Sequence, residues 1–231
     1  MGYFSESLST ALDLILSFDR EVWETVLTSL KISLQASLFA ALFAIPIGIF
    51  AAIHEFRGKR LLQQVLNTLM AMPTVVIGLF LYGLFTRQGP LGELGLLYTP
   101  TAMVIGECIL ILPIILNLTL VAVQSADPRL LPTLQSLGAN RMQTAIMVMS
   151  ETRLAIVAAV VAGFGRAIGE VGAAIMLGGN IEGFTRTMTT AIALETSKGE
   201  FELGLALGLL LLVIAFFVNF ILYAFTRRAG S

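Results

Sequence analysis

Three uncharged runs, Ile32 to Ile53, Leu61 to Thr86 and Leu203 to Thr226, are each long enough to cross roughly 30 Å of hydrocarbon as a helix. Two further apolar stretches hold ionisable residues: about Thr99 to Gln124 with Glu107, and about Leu154 to Leu177 with Arg166 and Glu170. None has the short alternation of a membrane-barrel strand. The pattern therefore predicts an all-α polytopic membrane protein with five transmembrane helices. The expected spans are about 30–53, 63–86, 100–124, 154–178 and 203–226, within a transmembrane domain over 25–226. Composition agrees, with 57% hydrophobic and 13% charged residues and a mean hydropathy of +0.89. Soluble domains carry roughly 25% charged residues. The lipid bilayer is the expected solvent, and no nucleic-acid partner is expected.

Orientation follows from the basic residues. The loop 55–60, the region 125–153 and the C-terminal tail 227–231 share Arg57, Lys59, Arg60, Arg129, Arg141, Arg153, Arg227 and Arg228. The opposite side holds Arg20, Arg87, Arg186 and Lys198 among many acids, including Glu21, Glu24, Glu182 and Glu195. The first group is placed in the cytoplasm, which puts the N-terminus outside and the C-terminus inside.

Residues 1–24 are acidic and lack the basic leader of a cleavable signal peptide. Leu8, Leu12, Ile15 and Leu16 set against Ser9, Thr10 and Asp13 describe either an amphipathic helix at the outer interface or a loose lead-in. One cysteine, Cys108, permits no intrachain disulfide, and one histidine, His54, builds no metal cluster. No metal site is expected.

Several residues inside the spans bear on function. Pro73, in Ala71-Met72-Pro73-Thr74, falls near the middle of the second span. A proline there is tolerated only where protein, a side chain or water satisfies the freed carbonyl. The connection 87–100 is rich in turn residues, with a short re-entrant or interfacial helix over Leu94 to Tyr98. In the third span Glu107 and Asn117 lie close to three helical turns apart, so both can face one seam. Glu107 is either a pathway or gating group, or a hydrated residue near the outer interface. In the fourth span Gly163, Gly165, Gly169, Gly172 and Gly178-Gly179 permit close packing. Arg166 and Glu170 stand one turn apart and partly neutralise each other, as a structural ion pair, a substrate contact, or both in different states. Beyond them Thr185, Arg186 and Thr187 are candidates for an outer anion or partner contact.

Between the third and fourth spans, residues 127–151 are too polar to cross the membrane. Asp127-Pro128 reads as a helix start, and Leu130, Leu131, Leu134 and Leu137 recur at helical spacing. Gly138 ends that helix, and a second begins near Asn140 with Met142, Ile146 and Met149 on one face. The segment is either a knob that docks into a soluble partner or an amphipathic connector on the inner leaflet.

This connector resembles the cytoplasmic loop of permease subunits from bacterial binding-protein-dependent ABC importers. Leu137-Gly138-Ala139 stands at the centre of that loop's pattern, and Val148 at a later hydrophobic position. Pro132-Thr133-Leu134 and Ser150-Glu151 depart from its flanks. Met72-Pro73-Thr74-Val75-Val76-Ile77-Gly78, Gly89-Pro90-Leu91-Gly92, Thr99-Pro100-Thr101-Ala102-Met103 and Arg166-Ala167-Ile168-Gly169-Glu170-Val171-Gly172 are similar to the oxyanion branch. The Gly-Pro-Leu-Gly and Thr-Pro-Thr-Ala-Met pieces resemble tungstate-type permeases. The Arg166 to Gly172 motif is shared with molybdate and sulfate relatives.

The resemblance implies a type I ABC importer permease fold in a bacterial or archaeal plasma membrane. It further implies a second permease copy, two cytoplasmic ABC ATPase subunits and an extracytoplasmic oxyanion-binding protein. Leu134, Leu137, Gly138, Ala139 and Arg141 would couple to the ATPase; Pro73, Glu107, Asn117, Arg166, Gly169 and Glu170 would line or gate the pathway. The chain has no phosphate-binding Gly-x-x-x-x-Gly-Lys-Ser/Thr signature. It is expected to be no enzyme, to carry no cofactor, and to leave ATP and Mg to its partner. Alternatives are a permease for molybdate, sulfate or another anion, and a membrane scaffold that docks a soluble partner.

Overall fold

The computed structural model describes the backbone of residues 3–229 and the side chains of residues 7–220. The chain folds into eleven α-helices among the described residues. They are α1 (Tyr3–Leu16), α2 (Arg20–Ile53), α3 (Lys59–Met70), α4 (Thr74–Phe85), α5 (Pro100–Gln124), α6 (Leu130–Ser136), α7 (Arg141–Glu151), α8 (Arg153–Ile168), α9 (Gly172–Gly178), α10 (Met188–Lys198) and α11 (Phe201–Ala229). The expected tail, 227–231, lies outside the residues whose side chains are described.

Three helices are long and apolar enough to cross a membrane unaided: α2, α5 and α11. Two bent pairs, α3 with α4 and α7 with α8, bring the number to five if each pair is one crossing. The second stretch is therefore not one straight helix over 63–86. It turns by 91° at Ala71-Met72-Pro73, and Pro73 caps the start of α4. With 12 residues α4 is only about 18 Å long, too short to span alone. The fourth stretch is likewise interrupted, because α8 ends at Ile168 and α9 restarts at Gly172. The helix expected over Leu94 to Tyr98 is absent. A single 3-10 turn, Gly92–Leu94, stands just before it, and Tyr98 adopts a left-handed conformation.

At the N-terminus, Asp19 caps α2 by accepting a hydrogen bond from the Val22 N–H, so the first long helix begins at Arg20 and contains Trp23. The amphipathic lead-in contracts to α1, which packs on α11; the Ser7 hydroxyl donates to Glu202 at 3.0 Å.

The core is the seam between α2 and α5, with α8 packed against both. On α2, Ile32, Ala36, Ala40, Ala44 and Gly48 recur every four residues, and all are buried. Lipid supplies no hydrophobic force to join helices, so close van der Waals contact along small residues does that work. Gly48 marks the limit of approach: a Cβ there would lie 3.0 Å from the Leu116 carbonyl oxygen and from the Thr119 side chain. Gly83 on α4 faces open space.

Gly48→Val is expected to cost about 1–3 kcal/mol by overpacking this seam. Thermal unfolding in detergent should show a lowered midpoint for Gly48→Val and none for Gly83→Ala; equal midpoints for the two variants would contradict the packing account.

Candidate functional site

The two helix breaks meet. A Cβ at Gly172, the first residue of α9, would lie 2.8 Å from the Val75 side chain and 3.3 Å from the Thr74 hydroxyl, in the first turn of α4. The interrupted ends at 71–73 and 169–171 are thus neighbours in space.

Glu170 repairs the second break. Its carboxylate accepts from Arg166 Nη1 at 2.9 Å through one oxygen and from the Ala173 N–H at 3.1 Å through the other. The second contact places negative charge at the start of α9, where free N–H groups favour it. Its backbone carbonyl, released by the break, accepts from the Thr189 hydroxyl at 2.6 Å. The Glu170 side chain is 2% exposed and that of Arg166 is 40% exposed. The pair expected from their spacing is therefore formed, with the carboxylate inside and the guanidinium at the edge. Gly165 and Gly169 flank Arg166 on an exposed, side-chain-free strip.

Glu107 is buried on α5, facing the Ser33 hydroxyl and within electrostatic reach of Glu170, and one of its carboxylate oxygens has no hydrogen-bond partner. Asn117 does not share its seam. It donates to Asn67 at 3.0 Å and to the Met70 sulfur at 3.3 Å, which ties α5 to the end of α3 beside the first break. Ten residues on a helix leave a residual rotation of about 80°, enough to send the two side chains to different neighbours.

The outer trio is buried rather than presented to solvent. Thr185 donates to the Gly178 carbonyl at 2.5 Å and accepts from the Ile181 N–H. Arg186 pairs with Glu21 at 2.8 Å and with Glu182 at 3.4 Å. Thr187 caps α10 in a reciprocal capping box with Thr190. These bonds fasten the segment after α9 to α2 and α10. One partner in this network escaped the sequence reading: Ser29, whose hydroxyl accepts from the Met188 N–H at 2.7 Å. The hydroxyl cluster Thr185, Thr187, Thr189 and Thr190 is legible after Gly178-Gly179, whereas Ser29 lies 159 residues from its partner.

In the connector, Gly138 has φ +74°, the left-handed conformation that closes a helix C-terminus. The Ala139 N–H bonds back to the Leu134 carbonyl, and Asn140 opens α7 with a capping box to Gln143. The leucine-rich face points inward, contrary to a knob that inserts its leucines into a partner. Leu134 is buried, and Leu130 and Leu131 pack with it against Leu120 and Val148. The tip exposes Leu137, at 76%, together with Gly138 and Arg141. From there α7 runs into α8 through a 73° bend at Thr152.

Against known families, residues 44–231 match the model described as binding-protein-dependent transport system inner membrane component. This chain belongs to that family. The permease is 41% identical to the tungstate uptake system permease protein TupB of Peptoclostridium acidaminophilum, over 97% of this chain and 98% of that protein. It is 37% identical to the protein of the same name from Campylobacter jejuni, over 98% of this chain and 95% of that one. A solved chain of the MetNI methionine ABC transporter shares its fold, with a TM-score of 0.73 at 16% identity, covering 94% of this permease and 97% of that chain. The permease is accordingly a multi-pass inner-membrane subunit without catalytic chemistry or a cofactor of its own. ATP and Mg act on the separate ATPase subunit.

Arg166→Met should destabilise the permease by about 1–3 kcal/mol, below the usual cost of breaking a fully buried pair because Arg166 is partly exposed. Arg166→Met combined with Glu170→Gln should recover part of that loss. Unfolding midpoints in detergent check this, and a double variant no more stable than the single one would refute it.

Proposed function

We propose that this permease forms the membrane conduit of an ATP-driven tungstate importer. The similarity to two tungstate uptake permeases over almost the whole chain carries the reading. Family membership displaces the scaffold alternative. In this reading the chain crosses the membrane five times, with its N-terminus outside and its C-terminus in the cytoplasm. It works as one of two permease copies, with two ATPase subunits and an extracytoplasmic oxyanion-binding protein.

Residues 127–151 receive the ATPase motion at Leu137, Gly138 and Ala139, with Arg141 behind them at the start of α7, while Leu134 anchors the tip to the membrane domain. ATP-driven closure of the ATPase pair displaces α6 and α7, the bend at Thr152 passes the displacement to α8, and α8 carries it to the break at Gly169 to Val171. The adjacent breaks then shift against each other and open the route outward; hydrolysis resets it. Pro73, Glu107, Asn117, Arg166, Gly169 and Glu170 act at or beside this gate. A weak route suits the task, since tight binding inside the permease would hinder release. The Glu170 carboxylate largely cancels the field of Arg166, which leaves hydroxyl and backbone donors to meet the anion. Thr185, Arg186 and Thr187 hold the outer rim of the gate to α2 rather than contacting solute directly.

Two measurements test the proposal. In proteoliposomes holding the full transport complex, ATP-dependent uptake of tungstate should exceed that of molybdate and sulfate at equal concentration. Preferred uptake of molybdate or sulfate would reassign the substrate within the oxyanion branch. Gly138→Val forces a branched side chain into a left-handed turn. It should reduce uptake at least about tenfold at unchanged permease yield, and undiminished uptake would remove the connector from the coupling path.

A further inference from the structure

An apolar groove of about 440 Å³ runs between the cytoplasmic end of α2 and the outer face of α7. Its walls are Ile45, Ile49 and Phe50 on one side and Ala145, Ile146 and Met149 on the other. At its mouth stand Arg141 and His54. Arg141 is exposed and forms no ion pair among the described residues. His54 is engaged through Nδ1 with the Phe50 carbonyl, which leaves Nε2 free.

The groove does not stand alone. Along α2 the positions Leu34, Leu38, Phe39, Leu42, Phe43, Ile47 and Phe50 are all exposed and all apolar, with Gln35 the one polar side chain among them. That stripe enters the groove at Pro46 and Phe50. It ends where α2 ends, at Ile53; beyond it Glu55 is paired with Lys59, and Arg57 and Arg60 are both exposed. A long apolar wall that closes in a cationic mouth has the amphipathic profile of a phospholipid: chain along the wall, phosphate at the basic end. Basic residues at the headgroup level attract anionic lipids, each with about 1 kcal/mol at a charged surface.

We infer that this groove between α2 and α7 is a binding site for an anionic phospholipid of the cytoplasmic leaflet, with one acyl chain along Ile45 to Phe50 and its phosphate on Arg141. The site joins lipid to the helix that follows the connector tip. The inference rests on membrane insertion alone and stands independently of the transported anion.

Fluorescence quenching tests it on the full chain in bilayers. Trp23 is the single tryptophan and lies near the start of α2, at the end away from the groove, so Trp23→Phe clears the background, and Met149→Trp places a reporter in the groove. Met142→Trp serves as a second reporter should the first fail to fold. Brominated phosphatidylglycerol and brominated phosphatidylcholine are compared in a phosphatidylcholine bilayer. The groove reporter should favour phosphatidylglycerol about fivefold, the magnitude of one basic residue at an anionic surface. Phe39→Trp, in mid-stripe, should show no such preference. Arg141→Gln should bring the groove reporter to parity. Equal quenching by the two lipids, a preference that survives Arg141→Gln, or a reporter that neither lipid reaches because a second copy covers it would each overturn the assignment.

Discussion

Inside hydrocarbon a backbone N–H or C=O has no water to turn to, so every interruption of a helix must be repaired by the protein itself. This permease interrupts two membrane helices and sets the breaks side by side. Glu170 is the repair: one residue closes an ion pair, caps the next helix and hands its own carbonyl to Thr189. Thr185 does the same for the end of α9 by bonding the Gly178 carbonyl. The segment after α9 is arranged around these bonds, through Thr187, Ser29 and the Arg186 to Glu21 pair.

A break held by a few polar bonds is a natural hinge, because those bonds have alternative partners, whereas the packed α2 and α5 seam does not. The small-residue stripe from Ala36 to Gly48 makes that seam a rigid frame. Against it α8 is attached to the connector at one end, through the bend at Thr152, and to the break at the other. Rigid-body displacement of a helix between two such ends is a known route for passing motion over a distance. The half-exposed Arg166 and the bare strip at Gly165 and Gly169 leave open space beside that end of α8.

The helices, the ion pair and the turn at Gly138 were legible because each depends on neighbours close in sequence. Hydropathy finds apolar runs, four-residue spacing finds the Arg166 and Glu170 face, and glycine between two amphipathic stretches finds the turn. The 91° bend at Pro73 was not legible: proline announces a disturbed helix, while the angle is set by α9 and by Asn117 holding the end of α3. Arg186 read as an exposed cation because its partner Glu21 lies 165 residues away. The leucines of α6 read as a docking face, yet a short helix tethered beside a membrane domain buries them first against its own Leu120 and Val148. Separation along the chain, rather than weak local signal, divides what was read from what was missed.

The central claim is that ATPase motion enters through the exposed connector tip. Cys108 is the single cysteine, so Cys108→Ser with Leu137→Cys gives a unique thiol at that tip. A short bifunctional reagent is applied to the assembled complex, with a cysteine series scanned across the membrane-facing surface of the ATPase. The account predicts a cross-link at a restricted set of ATPase positions and loss of ATP-driven uptake, restored when the link is cleaved. Uptake that continues at full rate with Leu137→Cys fully linked to the ATPase would contradict it.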